Sequence, residues 1–351
     1  MQKKTLRKLG AATVTAALAL TGFVAAAPAQ AATKTIGIAY SLGGRDVPGF
    51  NQLAYIGVKP LLAKDKTIKL VESQDNPTAT DDQRAERLRL MAKRGANPIV
   101  VVGFTYATAL GKVAKEFPKI QWGIVDDASV KAPNVQSIVF KEEEGSYLVG
   151  VAAALSSKTK SVGFIGGVNT PLIAKFEAGF IAGAKSVDSA IEVKSTYISN
   201  FPDFSGFNDP AKGYEAAKGM YENGADVVYA AAGGTGTGMH KAASELGKWS
   251  IGVDADEATY PAHAAYKKTI LTSMLKRVDN AVFDVIAAAN AGKKVNDSLG
   301  GGVVGRRYSL SSGGIAVSYS GGYINKYKSK IDAAGKAIGS GKIKVPTKPG
   351  K

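Results

Sequence analysis

The sequence has no cysteine, and among its 351 residues histidine occurs only twice, at His240 and His263. The absence of cysteine excludes disulfides, thiolate metal sites, iron–sulfur clusters, cysteine nucleophiles and a lipidated cysteine. Two histidines are too few for a histidine-rich metal site, so we predict no metal ion and no cofactor. Apolar residues make up 45% and charged residues 21% of the chain, as in folded globular proteins.

Acidic residues are scarce relative to basic ones: 29 Asp and Glu accompany 45 Lys and Arg, which gives a net charge of +16. The excess is concentrated at the ends of the chain, because residues 1–31 carry +4 and residues 326–351 carry +7. A nucleic-acid-binding protein usually concentrates its positive charge on one folded face. We therefore expect no nucleic-acid partner.

A long apolar run, Leu9–Ala27, follows the basic stretch Lys3–Lys8. This order, followed by small residues at Ala29 and Ala31, is typical of a secretory signal peptide, and we predict cleavage after Ala31. A membrane anchor is the alternative, since about 20 apolar residues cross a bilayer. The Ala, Thr and Gly content of the run favours cleavage. We expect a soluble exported protein without a lipid anchor, located in the periplasm, at the cell surface or outside the cell.

Short apolar segments alternate with longer helical ones along the mature sequence. Strands are predicted in the first half at Thr35–Tyr40, Ile68–Glu72, Pro98–Gly103 and Gln121–Val125. After a helical stretch at residues 142–157 the pattern restarts, with strands predicted at Ser161–Gly166, Val193–Ile198, Ala225–Ala231 and Trp249–Asp254. Strands that are apolar on both faces and separated by helices indicate parallel sheets covered on both sides.

The repeated pattern and the chain length predict two α/β lobes. Lobe 1 is predicted at residues 32–157, completed by parts of 275–320. Lobe 2 is predicted at residues 158–274, completed by parts of 300–340. Residues 342–351 are rich in Lys, Pro and Gly and are predicted to form a flexible basic tail.

Two aspartates, Asp126 and Asp254, stand at the ends of predicted strands, one in each half. Ligands of open α/β sheets bind beyond those strand ends. A carboxylate there can accept hydrogen bonds from vicinal hydroxyls or from a base edge. The alternative for either residue is a loop aspartate that caps the next helix.

Glycines and aromatic residues also follow predicted strands. The segment Gly233–Gly238 lacks the dinucleotide-binding spacing, and it either lines a small-molecule cleft or forms a plain turn. Phe50, Phe104, Phe201 and Phe204 either stack on a flat ligand or pack in a core. Neither Ser146 nor Ser273 lies in a nucleophile motif, and no nucleophile with a nearby base is identifiable, so we predict no enzymatic activity.

Seven ordered segments carry a resemblance to a known family. They are GFNQ at Gly49–Gln52, FPKIQWGIVDD at Phe117–Asp127, FKEEEGSYLVG at Phe140–Gly150, the GFIGG segment at Gly163–Lys185, DPAKGYEAAKGMYENGADVVYAAAGGTGTG at Asp209–Gly238, IGVDAD at Ile251–Asp256 and LTSMLKRVD at Leu271–Asp279. Together they resemble the basic membrane protein (BMP) family of substrate-binding proteins, which includes the purine nucleoside receptors of ABC transporters. The resemblance covers residues 34–320. It implies a type I periplasmic-binding-protein fold, with two Rossmann-like lobes, a three-stranded hinge and a ligand between the lobes.

The resemblance also implies a set of ligand-binding residues, which correspond here to Phe50, Asn51, Asp126, Phe201, Gly233, Asp254 and Lys276. In the family pattern Phe50 and a second aromatic stack on the purine, and that second aromatic is Phe201 or Phe204. Asp126 corresponds to an acid at the base. Asp254 and Lys276 correspond to the acid and lysine that hold ribose hydroxyls.

These observations predict an exported, monomeric solute-binding protein that captures a nucleoside, with a purine base, for an ABC permease in the membrane. The alternatives are a ligand-sensing protein on the same scaffold that signals to a membrane receptor, and a nucleoside-processing enzyme. The enzyme would need a metal or an acid–base set that the sequence does not display.

Overall fold

The computed structural model describes residues 34–350 of the chain. The predicted signal peptide and its cleavage after Ala31 lie outside the described residues. No helix within this range combines the length and the apolar character that a membrane-spanning segment requires.

Within the described range, twelve strands form two six-stranded sheets. They are β1 Thr35–Leu42, β2 Lys69–Asp75, β3 Ile99–Val101, β4 Trp122–Val125, β5 Val135–Phe140, β6 Ser161–Asn169, β7 Glu192–Asn200, β8 Val227–Ala231, β9 Trp249–Asp254, β10 Ile270–Lys276, β11 Arg306–Tyr308 and β12 Ile315–Val317. Strands β1, β3, β4, β8 and β9 are almost wholly buried, as expected for parallel strands covered by helices on both faces.

Helices connect the strands and cover the sheets. They are α1 Phe50–Lys64, α2 Asp81–Lys93, α3 Ala107–Glu116, α4 Glu142–Ser156, α5 Pro171–Val187, α6 Pro210–Glu222, α7 Gly236–Leu246, α8 Val278–Asn290, α9 Val295–Ser298 and α10 Lys328–Gly339. Local sequence explains several of their starts. Thr80 and Gln83 form a capping box at α2, and Thr170 caps α5 before Pro171 at its first position.

The strand orders of the two sheets correspond. The first sheet runs β11-β5-β4-β3-β1-β2, and the second runs β12-β10-β9-β8-β6-β7. Strands β4 and β9 therefore occupy equivalent places, and so do β1 and β6. The described pairings are parallel except that between β10 and β12. In both sheets the order reverses beside the first strand of the lobe, and such switch points are where ligands of open α/β sheets bind.

The chain passes between the lobes at three places: after β5, after β10, and between β11 and β12. Helix α4 packs on α5, β10 and β12, which belong to the second lobe, although its residues were predicted in lobe 1. The first crossing therefore lies at Lys141, before the helix. Helix α8 returns to pack on α1, β3 and β4 of the first lobe.

The main apolar core is continuous between the lobes, since one buried cluster includes Ile36 of β1 and Val162 of β6. The C-terminal segment is also attached to it. Ile343 and Val345 pack against this cluster, so the apolar side chains of the predicted flexible tail contact the folded body.

Candidate functional site

A cavity lies between the lobes at the carboxyl ends of their strands. Its volume is about 790 Å³, including the solvent at its mouth. The first lobe contributes residues at or beyond the ends of β1, β3 and β4, and the second contributes residues at or beyond the ends of β6, β7, β8, β9 and β10. Small-molecule sites are typically lined mostly by apolar side chains, with a few polar groups among them. The cavity matches this description.

Two aspartates occupy equivalent positions in the two lobes. Asp126 directly follows β4, and Asp254 ends β9. Both have a φ of 66°, in the left-handed region. Among residues other than glycine, Asp and Asn adopt this conformation most readily, because their short polar side chains hydrogen-bond locally. The two lobes thus present one carboxylate each at equivalent strand ends, and both line the cavity.

Lys276, the last residue of β10, connects the two lobes electrostatically. Its Nζ donates a hydrogen bond to Asp126 Oδ2 at 2.6 Å and lies 3.3 Å from Glu142 Oε1. The Lys276 side chain is only 2% exposed, and Glu142 is fully buried. Because β10 belongs to the second sheet and Asp126 to the first, this buried ion pair spans the cleft.

Three aromatic rings surround the same ammonium. Lys276 Nζ lies 5.3 Å from the centroid of the Phe50 ring, 5.0 Å from that of Phe140 and 5.6 Å from that of Phe176. Cations within about 6 Å of a ring face are attracted to it, more strongly when water is excluded. The lysine is therefore stabilised by rings as well as by carboxylates.

Burial and charge shift the pKa values of these groups in opposite directions. Burial disfavours a charged lysine, but the surrounding carboxylates, Asp126 foremost, raise the pKa of Lys276 above its ordinary value. Burial raises the pKa of Asp254 to about 7, against the opposing effect of Lys276. Burial also raises the pKa of Asp126. The site therefore contains a permanent cation and acids whose charge responds to pH and to a ligand.

Several polar atoms at the cavity have no partner within the described part of the chain. Asp126 Oδ1 and Thr105 Oγ1 are buried without a hydrogen bond. The Asp254 carboxylate lines the same cavity. Buried polar groups are nearly always hydrogen-bonded in native proteins. A ligand with hydroxyl and amide-like donors would satisfy these atoms.

Six of the seven residues predicted for the site line this cavity: Phe50, Asn51, Asp126, Gly233, Asp254 and Lys276. The Asn51 amide is already occupied, because its Nδ2 donates to the carbonyls of Ser41 and Leu42 and its Oδ1 accepts from the Ser41 N–H. Asn51 thus holds the end of β1 in place beside Phe50. Gly233 has a φ of 56° at the end of β8, which glycine adopts without strain.

The seventh residue, Phe201, does not line the cavity, and 66% of it is exposed. Its alternative, Phe204, packs edge-on against Phe104 with ring centroids 5.7 Å apart. The second-lobe rings in the cavity wall are Phe176 on α5 and Phe207, which follows these two phenylalanines in the sequence. Phe207 is the last residue of a short 3-10 helix, Ser205–Phe207, and Asp203 accepts a hydrogen bond from the Ser205 N–H next to it.

Sequence reasoning missed four residues that shape the site: Thr105, Glu142, Phe176 and Phe207. A signal for Glu142 was present, because three consecutive acids, Glu142–Glu144, open a helix that is otherwise apolar. Charged residues are seldom fully buried unless they are paired, so an acid in such a helix indicates a buried basic partner. Phe176 and Phe207 carried no comparable signal.

Two parallel-sheet lobes, three crossings and a cavity between the strand ends define a binding protein of the type I periplasmic class, as predicted. The sequence profile described as "ABC transporter substrate-binding protein PnrA-like" matches residues 37–348. The chain belongs to this family, the Bmp family of ABC transporter substrate-binding proteins. The predicted resemblance is therefore confirmed.

Named relatives agree with this assignment. The CD4+ T-cell-stimulating antigen of Listeria monocytogenes is 35% identical over 329 residues, which are 90% of this chain and 88% of the relative. The ABC transporter nucleoside-binding protein BmpA of Lactococcus lactis is 36% identical over 271 residues, which are 73% of this chain and 73% of the relative.

Solved structures show the same fold. A solute-binding protein of an ABC transporter system from Aeropyrum pernix aligns with a TM-score of 0.74 and 25% identity over 90% of this chain and 93% of that chain. A solute-binding protein from Conexibacter woesei aligns with a TM-score of 0.66 and 22% identity over 89% and 99% of the two chains. The predicted fold class is confirmed.

Proposed function

We propose that this substrate-binding protein captures a nucleoside, with a purine base, in the interlobe cavity and presents it to an ABC permease. The observation that carries the proposal is the composition of the cavity wall. It combines aromatic rings from both lobes with two buried aspartates, of which Asp126 has one oxygen, Oδ1, without a hydrogen-bond donor among the described residues. A nucleoside supplies the matching chemistry, since it joins a flat base to a sugar with vicinal hydroxyls.

The aromatic part of the wall fits the base. Phe50 comes from the first lobe and Phe207 from the second, and both line the cavity. A base stacked on an aromatic side chain contributes about 1–3 kcal/mol to binding. Asp126 Oδ1 is buried without a donor and accepts a hydrogen bond from an N–H at the base edge in this arrangement.

The polar part of the wall fits the sugar. The Asp254 carboxylate has room for two hydroxyl donors, and such charge-assisted hydrogen bonds are stronger than neutral ones. Lys276 has three N–H donors, of which one binds Asp126 Oδ2, while Glu142 Oε1 lies 3.3 Å from Nζ. A further donor of Lys276 would bind a ribose oxygen.

The family supplies the physiological setting of the proposal. The Lactococcus lactis relative is named as a nucleoside-binding protein. We propose that the present chain is exported through its predicted signal peptide, acts as a monomer and delivers its ligand outside the cytoplasmic membrane. Closure of the lobes on the ligand shifts the population towards the form that the permease binds.

A binding experiment with matched phenylalanine variants tests the proposal. Purified protein is titrated with adenosine and guanosine in a calorimeter, alongside Phe50→Ala and Phe201→Ala. We expect Phe50→Ala to lower affinity by about 1–3 kcal/mol, as for loss of a stacked base. Phe201→Ala removes an exposed ring outside the cavity and is expected to bind like the wild type.

Two results would contradict the proposal. Wild-type protein that binds neither nucleoside, while a screen of sugars and amino acids yields a ligand, would exclude nucleosides as the substrate class. Equal affinity of the wild type and Phe50→Ala would show that this ring does not stack on the base.

A further inference from the structure

A second cluster of polar side chains lies buried outside the cavity wall. It consists of His240 on α7 and Glu257 and His263 in the loop between β9 and β10. These are the two histidines of the whole sequence. One ligand atom from each residue lies within 4.8 Å of the others, and the three residues are 0%, 6% and 3% exposed. The two histidine rings therefore lie together in the fold, with centroids 4.9 Å apart.

Hydrogen bonds orient the His240 ring. Its Nδ1 lies 2.8 Å from Ser250 Oγ, and Ser250 Oγ donates its own proton to the Thr269 carbonyl at 3.1 Å. Ser250 must therefore accept, so Nδ1 carries the proton. The other nitrogen, Nε2, is in direct contact with Glu257 Oε2.

His263 and Glu257 are arranged in the same way. His263 Nε2 lies 3.2 Å from Thr237 Oγ1, while its Nδ1 has no hydrogen-bond partner within the described residues and lies 3.8 Å from Glu257 Oε2. Glu257 Oε1 accepts a hydrogen bond from the Val253 N–H at 3.2 Å. In each of the three residues, one polar atom contacts a neighbour outside the cluster. The other polar atoms, His240 Nε2, Glu257 Oε2 and His263 Nδ1, lie close to one another.

The chemistry of the three side chains suits a metal ligand set. Neutral imidazole and carboxylate are ligands of zinc and related divalent ions, and outer hydrogen bonds of this kind commonly orient metal-binding histidines.

We propose that His240, Glu257 and His263 form a binding site for a divalent transition metal ion such as Zn²⁺. The ion would be bound by His263 Nδ1 and by the contacting pair of His240 Nε2 and Glu257 Oε2. Zinc ligands at about 2.0–2.2 Å from the ion are roughly 3.3 Å apart in a tetrahedron, so the pair must separate slightly on binding.

Metal binding at this cluster is expected to stabilise the structure next to the cavity. The loop of Glu257 and His263 joins β9 to β10, which end at Asp254 and Lys276. Metal binding would tie this loop to α7, and Glu257 would continue to hold the Val253 N–H next to Asp254. We therefore expect the ion to stabilise the second lobe near the cavity without contacting the ligand.

Zinc titration of the full chain tests the proposal. The protein is prepared without a polyhistidine tag and stripped with a chelator, and Zn²⁺ binding is measured by calorimetry and thermal unfolding. We expect one Zn²⁺ per chain and a higher melting temperature with zinc. His263→Gln is expected to weaken zinc binding at least tenfold. Glu245→Gln, which changes an exposed carboxylate on the same helix α7, is expected to leave it unchanged.

Co²⁺ provides a second readout that does not depend on stability. Bound at a site with nitrogen and oxygen ligands, Co²⁺ is expected to give visible absorption bands that disappear in His263→Gln. The proposal is overturned if the wild type binds no zinc at micromolar concentrations. It is also overturned if His263→Gln binds zinc as tightly as the wild type, because the ion would then be held elsewhere.

Discussion

Replacement of Lys276 by methionine tests the electrostatic centre of the site. The substitution keeps an unbranched chain but removes the buried cation that lies among Asp126, Glu142 and Asp254. The side chains of Lys276, Asp126 and Glu142 are 2%, 5% and 0% exposed, so solvent cannot replace the lost charge. Removing one partner of a buried pair typically costs about 3–5 kcal/mol, and we expect a loss in this range.

The loss of unfolding free energy in Lys276→Met should depend on pH. Burial places the folded-state pKa of Asp254 at about 7, well above its unfolded value, and loss of Lys276 raises it further. A carboxyl group with a raised pKa destabilises the folded state at pH values at which the group must be ionised. This destabilisation is therefore complete above the folded-state pKa. It shrinks as pH falls towards the unfolded value, because the folded protein then holds the proton. We therefore expect a larger difference between variant and wild type at pH 8 than at pH 5.

Urea unfolding measures this difference with an internal probe in each lobe, since Trp122 lies on β4 and Trp249 on β9. Lys175→Met is the matched control, because Lys175 contacts Glu142 at 3.2 Å but is 30% exposed. We expect it to lose about 1 kcal/mol or less. A loss below about 1 kcal/mol for Lys276→Met, equal at both pH values, would refute the reasoning.

Two further predictions follow from the described contacts. Nucleoside hydroxyls bind the ionised form of Asp254, so affinity should fall below pH 7, by up to about tenfold per unit, and level off above it. Calorimetry across pH 5–8 checks this, and Asp254→Asn should bind weakly with a flat profile. Gly183→Ala should destabilise by about 1–3 kcal/mol, because its methyl group would meet the Tyr147 carbonyl where α5 contacts α4. Gly219→Ala, in open space on α6, should be neutral or gain up to about 1 kcal/mol, and equal thermal shifts for the two glycine variants would contradict this packing.

The fold was largely predictable from the sequence because its strands are short, apolar and separated by helices. Segments such as Trp122–Val125 and Val227–Ala231 are buried on both faces, which the absence of alternation indicates. The lobe that receives α4 was not predictable in this way. The helix follows the first sheet in sequence but packs on the second, and only tertiary contacts decide between them.

The site was predictable where its residues stand at strand ends, as Asp126 and Asp254 do. The partner of Asp126 was not, because Lys276 lies 150 residues away and strand patterns carry no information on cross-lobe pairing. The second aromatic was predicted as Phe201 or Phe204, whereas the ring of this segment that lines the cavity is Phe207, a few residues further along the chain. His240 and His263 lie together because the β9–β10 loop passes next to α7, and strand and helix patterns do not predict the path of a loop.

Calorimetric comparison of adenosine, adenine and ribose tests most directly the claim that the cavity holds a nucleoside by both its parts. The account predicts that adenosine binds the wild type much more tightly than adenine or ribose. Asp254→Ala should weaken adenosine binding by about 1–3 kcal/mol, which is roughly tenfold to a hundredfold, and barely change adenine binding. If adenosine and adenine bind the wild type equally, the sugar is not recognised and the assignment of Asp254 to the ribose is contradicted.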